Sequence, residues 1–202
     1  MANILVLFAH PALEKSRIHT RLIRHIKHVQ GVTFHDLYEA YPDFDINIKR
    51  EQYLLTLHDI IIWQHPFYWY SAPALIKQWM DLVLEHGWAY GAKGKALTGK
   101  KIFNAISTGG TTAAYSKTGR NRFTIPELLA PFDQTAYLCN ITYMPPFVVQ
   151  GTHKLEPADI ELCGVQYEQL LTALAHDRIA DHEWKNVTYL NELVPIPQPI
   201  QS

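Results

Sequence analysis

The tightest constraint on the fold is a regular alternation of short apolar runs with amphipathic segments. "NILVLFAH" (3–10) is a continuous apolar run of strand length, as expected of a strand covered on both faces of a parallel sheet. "SRIHTRLIRHIKHV" follows, with Ile18, Leu22, Ile26 and Val29 on one helical stripe and Arg17, Arg21, Arg24 and Lys27 elsewhere. The strand pattern recurs at "VTFHDLY" (32–38), "IIIWQHP" (60–66), "KKIFNAIST" (100–108) and "YMPPFVVQG" (143–151). Helical patterns intervene at "IKREQYLLTLHD" (48–59), "PALIKQWMDLVLEH" (73–86) and "IPELLAPFDQTAYLCN" (125–140, interrupted by Pro131). A last one, "EPADIELCGVQYEQLLTALAHD" (156–177), follows the fifth strand pattern. The 202 residues suit one doubly wound α/β domain over residues 1–177, followed by an extension, 178–202. The end of that extension, "VPIPQPIQS", reads as a loose or partner-packed tail.

Five strands in this arrangement suggest a three-layer, flavodoxin-like domain with a parallel sheet of order 2-1-3-4-5. In such sheets ligands bind beyond the carboxyl ends of the strands, where the strand order reverses. Strands 1, 3 and 4 surround that point, and the loops that follow them are the three most unusual in the chain. After strand 1 comes "HPALEKSR", with Ser16 as N-cap of a helix whose N-terminus suits an anion. After strand 3 come four consecutive aromatics, Phe67, Tyr68, Trp69 and Tyr70. They cannot share one face of a strand, because strand side chains alternate. After strand 4 comes "STGGTTAAYSKTG", where Gly109-Gly110 lets backbone approach a flat ligand closely. A phosphate site, aromatic faces and close backbone donors together describe a site for a flavin nucleotide.

Several other classes are excluded. A formal charge of −1 gives no field for nucleic acid. No apolar run approaches membrane-spanning length, and the start of the chain lacks the pattern of a signal peptide. Cys139 and Cys163 fall in helical patterns, which argues against a disulfide and for a reducing cytoplasm. On that footing the Asn186-Val187-Thr188 sequon carries no meaning. "GKALTGKK" (94–101) nearly matches a phosphate-binding loop, but Lys101 stands where a hydroxyl is needed and the segment precedes a strand. Eleven histidines show no metal-ligand spacing, so no metal is expected. His19, His25 and His28 are expected on the solvated side of the first helix, while His10 ends strand 1 at the switch point.

"AHP" closing strand 1, "WQHPFYWYSAPALIKQWMDLVLEHGWAYG", and "STGG" closing strand 4 resemble the NAD(P)H:quinone oxidoreductase family. "HDLYEAYPDFDI" narrows the resemblance to the KefF/KefG-type ancillary proteins of glutathione-regulated potassium efflux. The likeness runs from about residue 3 to about residue 176. It implies a bound flavin, FMN or FAD, reduced by NAD(P)H and reoxidised by a quinone. His10, Ser16, Arg17, Ile18 and His19 would hold the phosphate end. Phe67, Tyr68, Trp69 and Tyr70 would wrap the isoalloxazine, and Ser107, Thr108, Gly109 and Gly110 would face its pyrimidine edge. A homodimer with the site at the subunit boundary is also implied. So is a cytoplasmic location, peripheral at the inner face of the membrane if a potassium efflux channel is the partner.

In larger members of that family a tyrosine and a histidine after the glycine pair assist charge relay and proton donation. Tyr115 matches the tyrosine, but the histidine position is Asn121. Asparagine donates and accepts hydrogen bonds without exchanging a proton near neutral pH. Three readings therefore stand open: a quinone reductase, a regulatory subunit with little turnover, and a one-electron carrier of the flavodoxin kind, against which a charge of −1 speaks.

Overall fold

The computed structural model describes residues 1–196. Six parallel strands form one sheet: β1 (Ile4–Phe8), β2 (Val32–Asp36), β3 (Ile60–Pro66), β4 (Lys101–Ser107), β5 (Thr142–Tyr143) and β6 (Phe147–Val149). The order is β2-β1-β3-β4-β5, with β6 also paired to β4. The expected order therefore holds, and the expected fifth strand is divided. Proline has no N–H for a ladder, so Pro145-Pro146 breaks the strand. β5 pairs with Lys101 and Ile102, and β6 pairs with Ala105 to Ser107.

Every residue of β1 is buried, as its unbroken apolar run requires. Ile4, Val6 and Phe8 face one layer, built on α1 (Arg17–Ile26) and α7 (Pro157–Ala175). Leu5 and Leu7 face the other, built on α3 (Ile48–Leu57), α4 (Ala74–Val83), α5 (Ile125–Leu128) and α6 (Ala130–Leu138). The expected strand over 32–38 stops at Asp36, whose carboxylate accepts from the N–H groups of Tyr38 and Glu39 and caps α2 (Leu37–Ala40). The expected helix over 125–140 is two helices. Pro131 cannot donate to the preceding turn, so it sits in the first turn of α6 and the chain breaks at Leu129.

Two of the three histidines assigned to a solvated face are elsewhere. His19 is wholly buried. His25 packs over Gly164 of α7, where any Cβ would collide with its ring, and pairs with Glu161 and Glu168 at 2.8 Å each. His28 is exposed as expected. The layer on the other side holds a wholly buried carboxylate, Glu51, which accepts from His35 Nε2 (2.8 Å), Tyr41 Oη (2.5 Å) and Trp79 Nε1 (2.8 Å). A buried charge is tolerated when it is saturated with donors in this way.

The described part of the extension packs onto the sheet. Trp184, from α8 (Asp181–Trp184), and Leu190 and Val194 are buried in the α1–α7 layer. Asn191 accepts from Val148 N (2.8 Å) and donates to Val148 O (3.2 Å), so one side chain pairs the open edge of β6. Val194, the first residue of the stretch expected to be a loose or partner-packed tail, is buried against the chain's own core. Residues 197–202 lie outside the described residues. Cys139 and Cys163 are both free thiols. Among the described residues no helix is long and apolar enough to cross a membrane.

Candidate functional site

The loops after β1, β3 and β4 meet above the carboxyl ends of their strands, and the loop after β6 joins them. Ser16 caps α1, its Oγ accepting from His19 N at 3.1 Å. The N–H groups of Arg17 and Ile18 thus open the first turn, where helix dipole and unsatisfied donors favour an anion. Arg17 reaches from this turn to donate to Leu155 O at 2.9 Å, tying α1 to the segment before α7. His10 Nδ1 accepts from Ala12 N at 3.1 Å, which bends the chain toward the cap. Burial lowers the His10 imidazole pKa, with Glu14 opposing. The ring is therefore neutral at pH 7.

The four aromatics diverge. Phe67 is buried and its ring stands 6.1 Å from that of Tyr115, while Phe67 N donates to Ser107 O at 2.9 Å and extends the β3–β4 ladder. Tyr68 turns edge-on to His10 at 6.0 Å. Trp69 is 92% exposed. The Tyr70 hydroxyl donates to Asn121 Oδ1 at 3.5 Å. Trp69 and Tyr70 both take the left-handed conformation, at φ 50° and 62°. Two such residues without glycine each cost roughly 1–3 kcal/mol, strain that clusters at binding sites.

Between these loops lies a groove of two hollows, about 490 and 410 Å³, each within the size range of small-molecule sites. The hollows share Phe67, Gly109 and His153. The first is lined by His10, Ser16, Arg17, Ile18, Tyr68 and Ser107. The second is lined by Trp69, Tyr70, Gly110, Tyr115 and Asn121. His19 and Thr108 do not line it. His19 lies beneath the floor with Nε2 2.9 Å from Ser107 Oγ. Thr108 is buried, and its hydroxyl donates to Gly110 O at 2.8 Å, holding the glycine loop in shape.

Sequence reasoning missed Lys15, Arg120, Thr152 and His153, which also line the groove. The segment carrying Thr152 and His153 is clamped to the glycine loop by Gly151 N to Gly110 O (2.9 Å) and Thr152 N to Thr108 O (3.1 Å). The available signal was the carboxyl-end rule itself, applied to the last strand as well as to the others.

The donor set fits a flavin mononucleotide. One end offers a helix N-terminus with Lys15 and Arg17 for a dianionic phosphate. The middle offers Phe67 and the backbone of Gly109, whose missing Cβ lets His153 close against it. A Cβ at Gly109 would stand 2.5 Å from His153 Nε2, and one at Gly110 2.8 Å from Tyr115 Cε2. The far end offers the hydroxyls of Tyr70 and Tyr115 and the amide of Asn121. Tyr115 is buried, and burial, with Tyr70 adding, raises its pKa, so it remains a proton-bearing donor. No cluster of metal-ligating side chains exists among the described residues.

Comparison with known proteins agrees with the fold. A protein-family profile described as "Flavodoxin-like fold" matches residues 2–171. The glutathione-regulated potassium-efflux system ancillary protein KefG of Pectobacterium atrosepticum is 46% identical over 155 residues, 77% of this chain and 85% of that protein. General stress protein 14 of Treponema denticola, solved in complex with FMN, superposes with a TM-score of 0.81 at 40% identity, covering 85% of this chain and 99% of that one. An NADPH-quinone reductase of P. pentosaceus superposes with a TM-score of 0.75 at 37% identity, covering 83% and 96%. With its sheet order, its switch-point groove and these likenesses in accord, the chain belongs to the flavodoxin-like fold family.

Proposed function

We propose that this protein is a flavin-dependent NAD(P)H:quinone oxidoreductase whose cofactor is FMN. The observation that carries the reading is the continuity of the groove, from the capped N-terminus of α1 through Phe67 and Gly109 to Tyr115. Bound FMN would supply the two-electron chemistry between NAD(P)H and a quinone. The chain's own residues bind, orient and stabilise charge. Ser16, Lys15 and Arg17 hold the phosphate end, and Phe67 and Tyr68 bound the ring. Trp69 and Tyr70 present aromatic faces at the mouth of the groove for nicotinamide or quinone to stack against. Tyr115, itself buried, donates a hydrogen bond to the acceptor oxygen on which negative charge grows.

The exposed Trp69, Tyr68 and Tyr70 support a homodimer in which a second copy covers the mouth of the groove. NAD(P)H as reductant and two free thiols suit the cytoplasm. A second reading has its own observation. Asn121 leaves the second hollow without a proton-exchanging partner for Tyr115 at that position, and the KefG relative is named an ancillary protein of potassium efflux. Here the chain docks on an efflux channel at the inner membrane face, and its flavin turns over slowly. Stopped-flow reoxidation of the reduced protein by a simple benzoquinone separates the two. Reoxidation far faster than that of free reduced FMN supports the enzyme, and an equal rate supports the ancillary role.

A further inference from the structure

Ser107 closes β4 at the floor of the groove, and its hydroxyl tops a chain of polar side chains running down through the α1–α7 layer. Ser107 Oγ lies 2.9 Å from His19 Nε2. His19 Nδ1 lies 3.4 Å from Gln64 Nε2, the longest link. Gln64 Oε1 lies 3.1 Å from Tyr167 Oη. His19, Gln64 and Tyr167 have no exposed surface at all, in a layer otherwise filled by residues such as Phe8, Phe147 and Leu170.

Such a chain can be polarised in either sense, and its lower end decides which. The Tyr167 hydroxyl carries one hydrogen, and among the described residues Gln64 is its hydrogen-bond partner. A buried O–H left unpaired costs more than an unused lone pair. Tyr167 therefore donates, and Gln64 turns its carbonyl oxygen to it. The Gln64 amide then donates to His19 Nδ1, which must accept. A neutral imidazole that accepts at Nδ1 carries its hydrogen on Nε2. Burial, reinforced by His10 and His65, holds the His19 pKa well below the ordinary value, so the neutral form persists. Nε2–H then donates to Ser107 Oγ, and the hydrogen of Ser107 is left for the groove.

We propose that Tyr167, Gln64 and His19 are positioning residues that fix Ser107 as a one-way hydrogen-bond donor into the groove. At this point the groove takes a ligand atom that only accepts, an oxygen or an unprotonated ring nitrogen of the flavin, and disfavours an N–H. The identity of that ligand rests on the flavin reading; the polarity of the chain does not.

Histidine ¹⁵N NMR on flavin-free protein tests the polarity directly. The predicted spectrum has His19 protonated at Nε2 and bare at Nδ1, without titration from pH 6 to 8. The opposite tautomer overturns the proposal whatever the cofactor. Fluorescence titration with FMN tests the consequence. Tyr167→Phe should let His19 exchange between tautomers and weaken FMN binding roughly three- to tenfold, one hydrogen bond's worth. Ser107→Ala should lose about as much, and the double variant no more than Ser107→Ala alone. Losses that multiply in the double variant overturn the proposal. If Tyr167→Phe fails to fold, the parent's tautomer still decides. A parent that does not bind FMN ends the flavin reading and leaves the tautomer result standing.

Discussion

Gly109 and His153 touch: a Cβ built on Gly109 would stand 2.5 Å from His153 Nε2 and 2.9 Å from its Cδ2. The two residues belong to different loops, after β4 and after β6, and both line both hollows of the groove. Glycine here lets an imidazole pack closely against the backbone that edges the site. Gly109→Ala should push that ring into the groove at a cost of roughly 1–3 kcal/mol. The expected result is a folded protein with a Tm lower by roughly 2–4 °C per kcal/mol of that cost and FMN affinity lowered about tenfold, read by fluorescence quenching.

Tyr115 and Asn121 stand on the same loop, with Tyr70 bonded to the latter at 3.5 Å. Tyr115→Phe should leave FMN content unchanged and slow quinone reduction by about 10²-fold, the lower end of the effect of a positioned proton donor. Because burial raises the Tyr115 pKa, the parent should show no loss of this donor up to pH 9. Asn121→His should raise turnover at pH 6. That gain should fade as pH climbs through the imidazole range near about 6.5, where the protonated donor is lost. Stopped-flow reoxidation across pH measures both.

The sheet order and three of the loops could be read from the sequence because apolar runs, helical stripes and glycine pairs are local signals. What escaped was non-local. His19 looks like a solvated polar residue beside Ile18, yet its partners Gln64 and Ser107 lie 45 and 88 residues away. Burial of a polar side chain depends on such partners, which periodicity cannot show. His153 follows Gly151-Thr152 with no motif around it, and only strand pairing brings it to Gly109. The packing of the extension's described part was not legible either, because no periodic stripe marks it. Its contacts come from Trp184, Leu190 and the single amide of Asn191.

Histidine burial predicts how stability follows pH. His65 donates from Nδ1 to Pro66 O (3.0 Å) and accepts from Asn104 Nδ2 (3.0 Å), and burial pushes its pKa down to about 4. In the unfolded chain the same group titrates near 6.5. Between those values the unfolded state binds the extra proton, so stability must fall as pH drops from about 6.5 to about 4. His65 alone contributes on the order of 3 kcal/mol to that fall. Glu51 acts in a lower window. Burial raises its pKa, but donors from His35, Tyr41 and Trp79 outweigh burial and hold it below the ordinary value. Its stabilisation is lost only as pH falls through that depressed pKa. Urea melts at pH 7, 5.5 and 4.5 should show a steep decline in the parent and a shallower one in His65→Gln.

Trp69 is 92% exposed on a strained turn at the mouth of the groove. If a second copy covers it, light scattering should give twice the 23.2 kDa chain mass. Trp69→Ala should then raise the dimer dissociation constant by roughly 10²-fold, as expected for a central aromatic anchor.

The central claim is that the groove from Ser16 to Tyr115 holds FMN and uses it. The most direct measurement is an anaerobic spectrum of the protein mixed with equimolar FMN at micromolar concentration, before and after NADPH or NADH and again after benzoquinone. The account predicts one FMN bound per chain, a visible band bleached by one of the two nucleotides, and its return on adding quinone. A protein that leaves FMN fluorescence unquenched, or binds FMN that neither nucleotide bleaches, would contradict it.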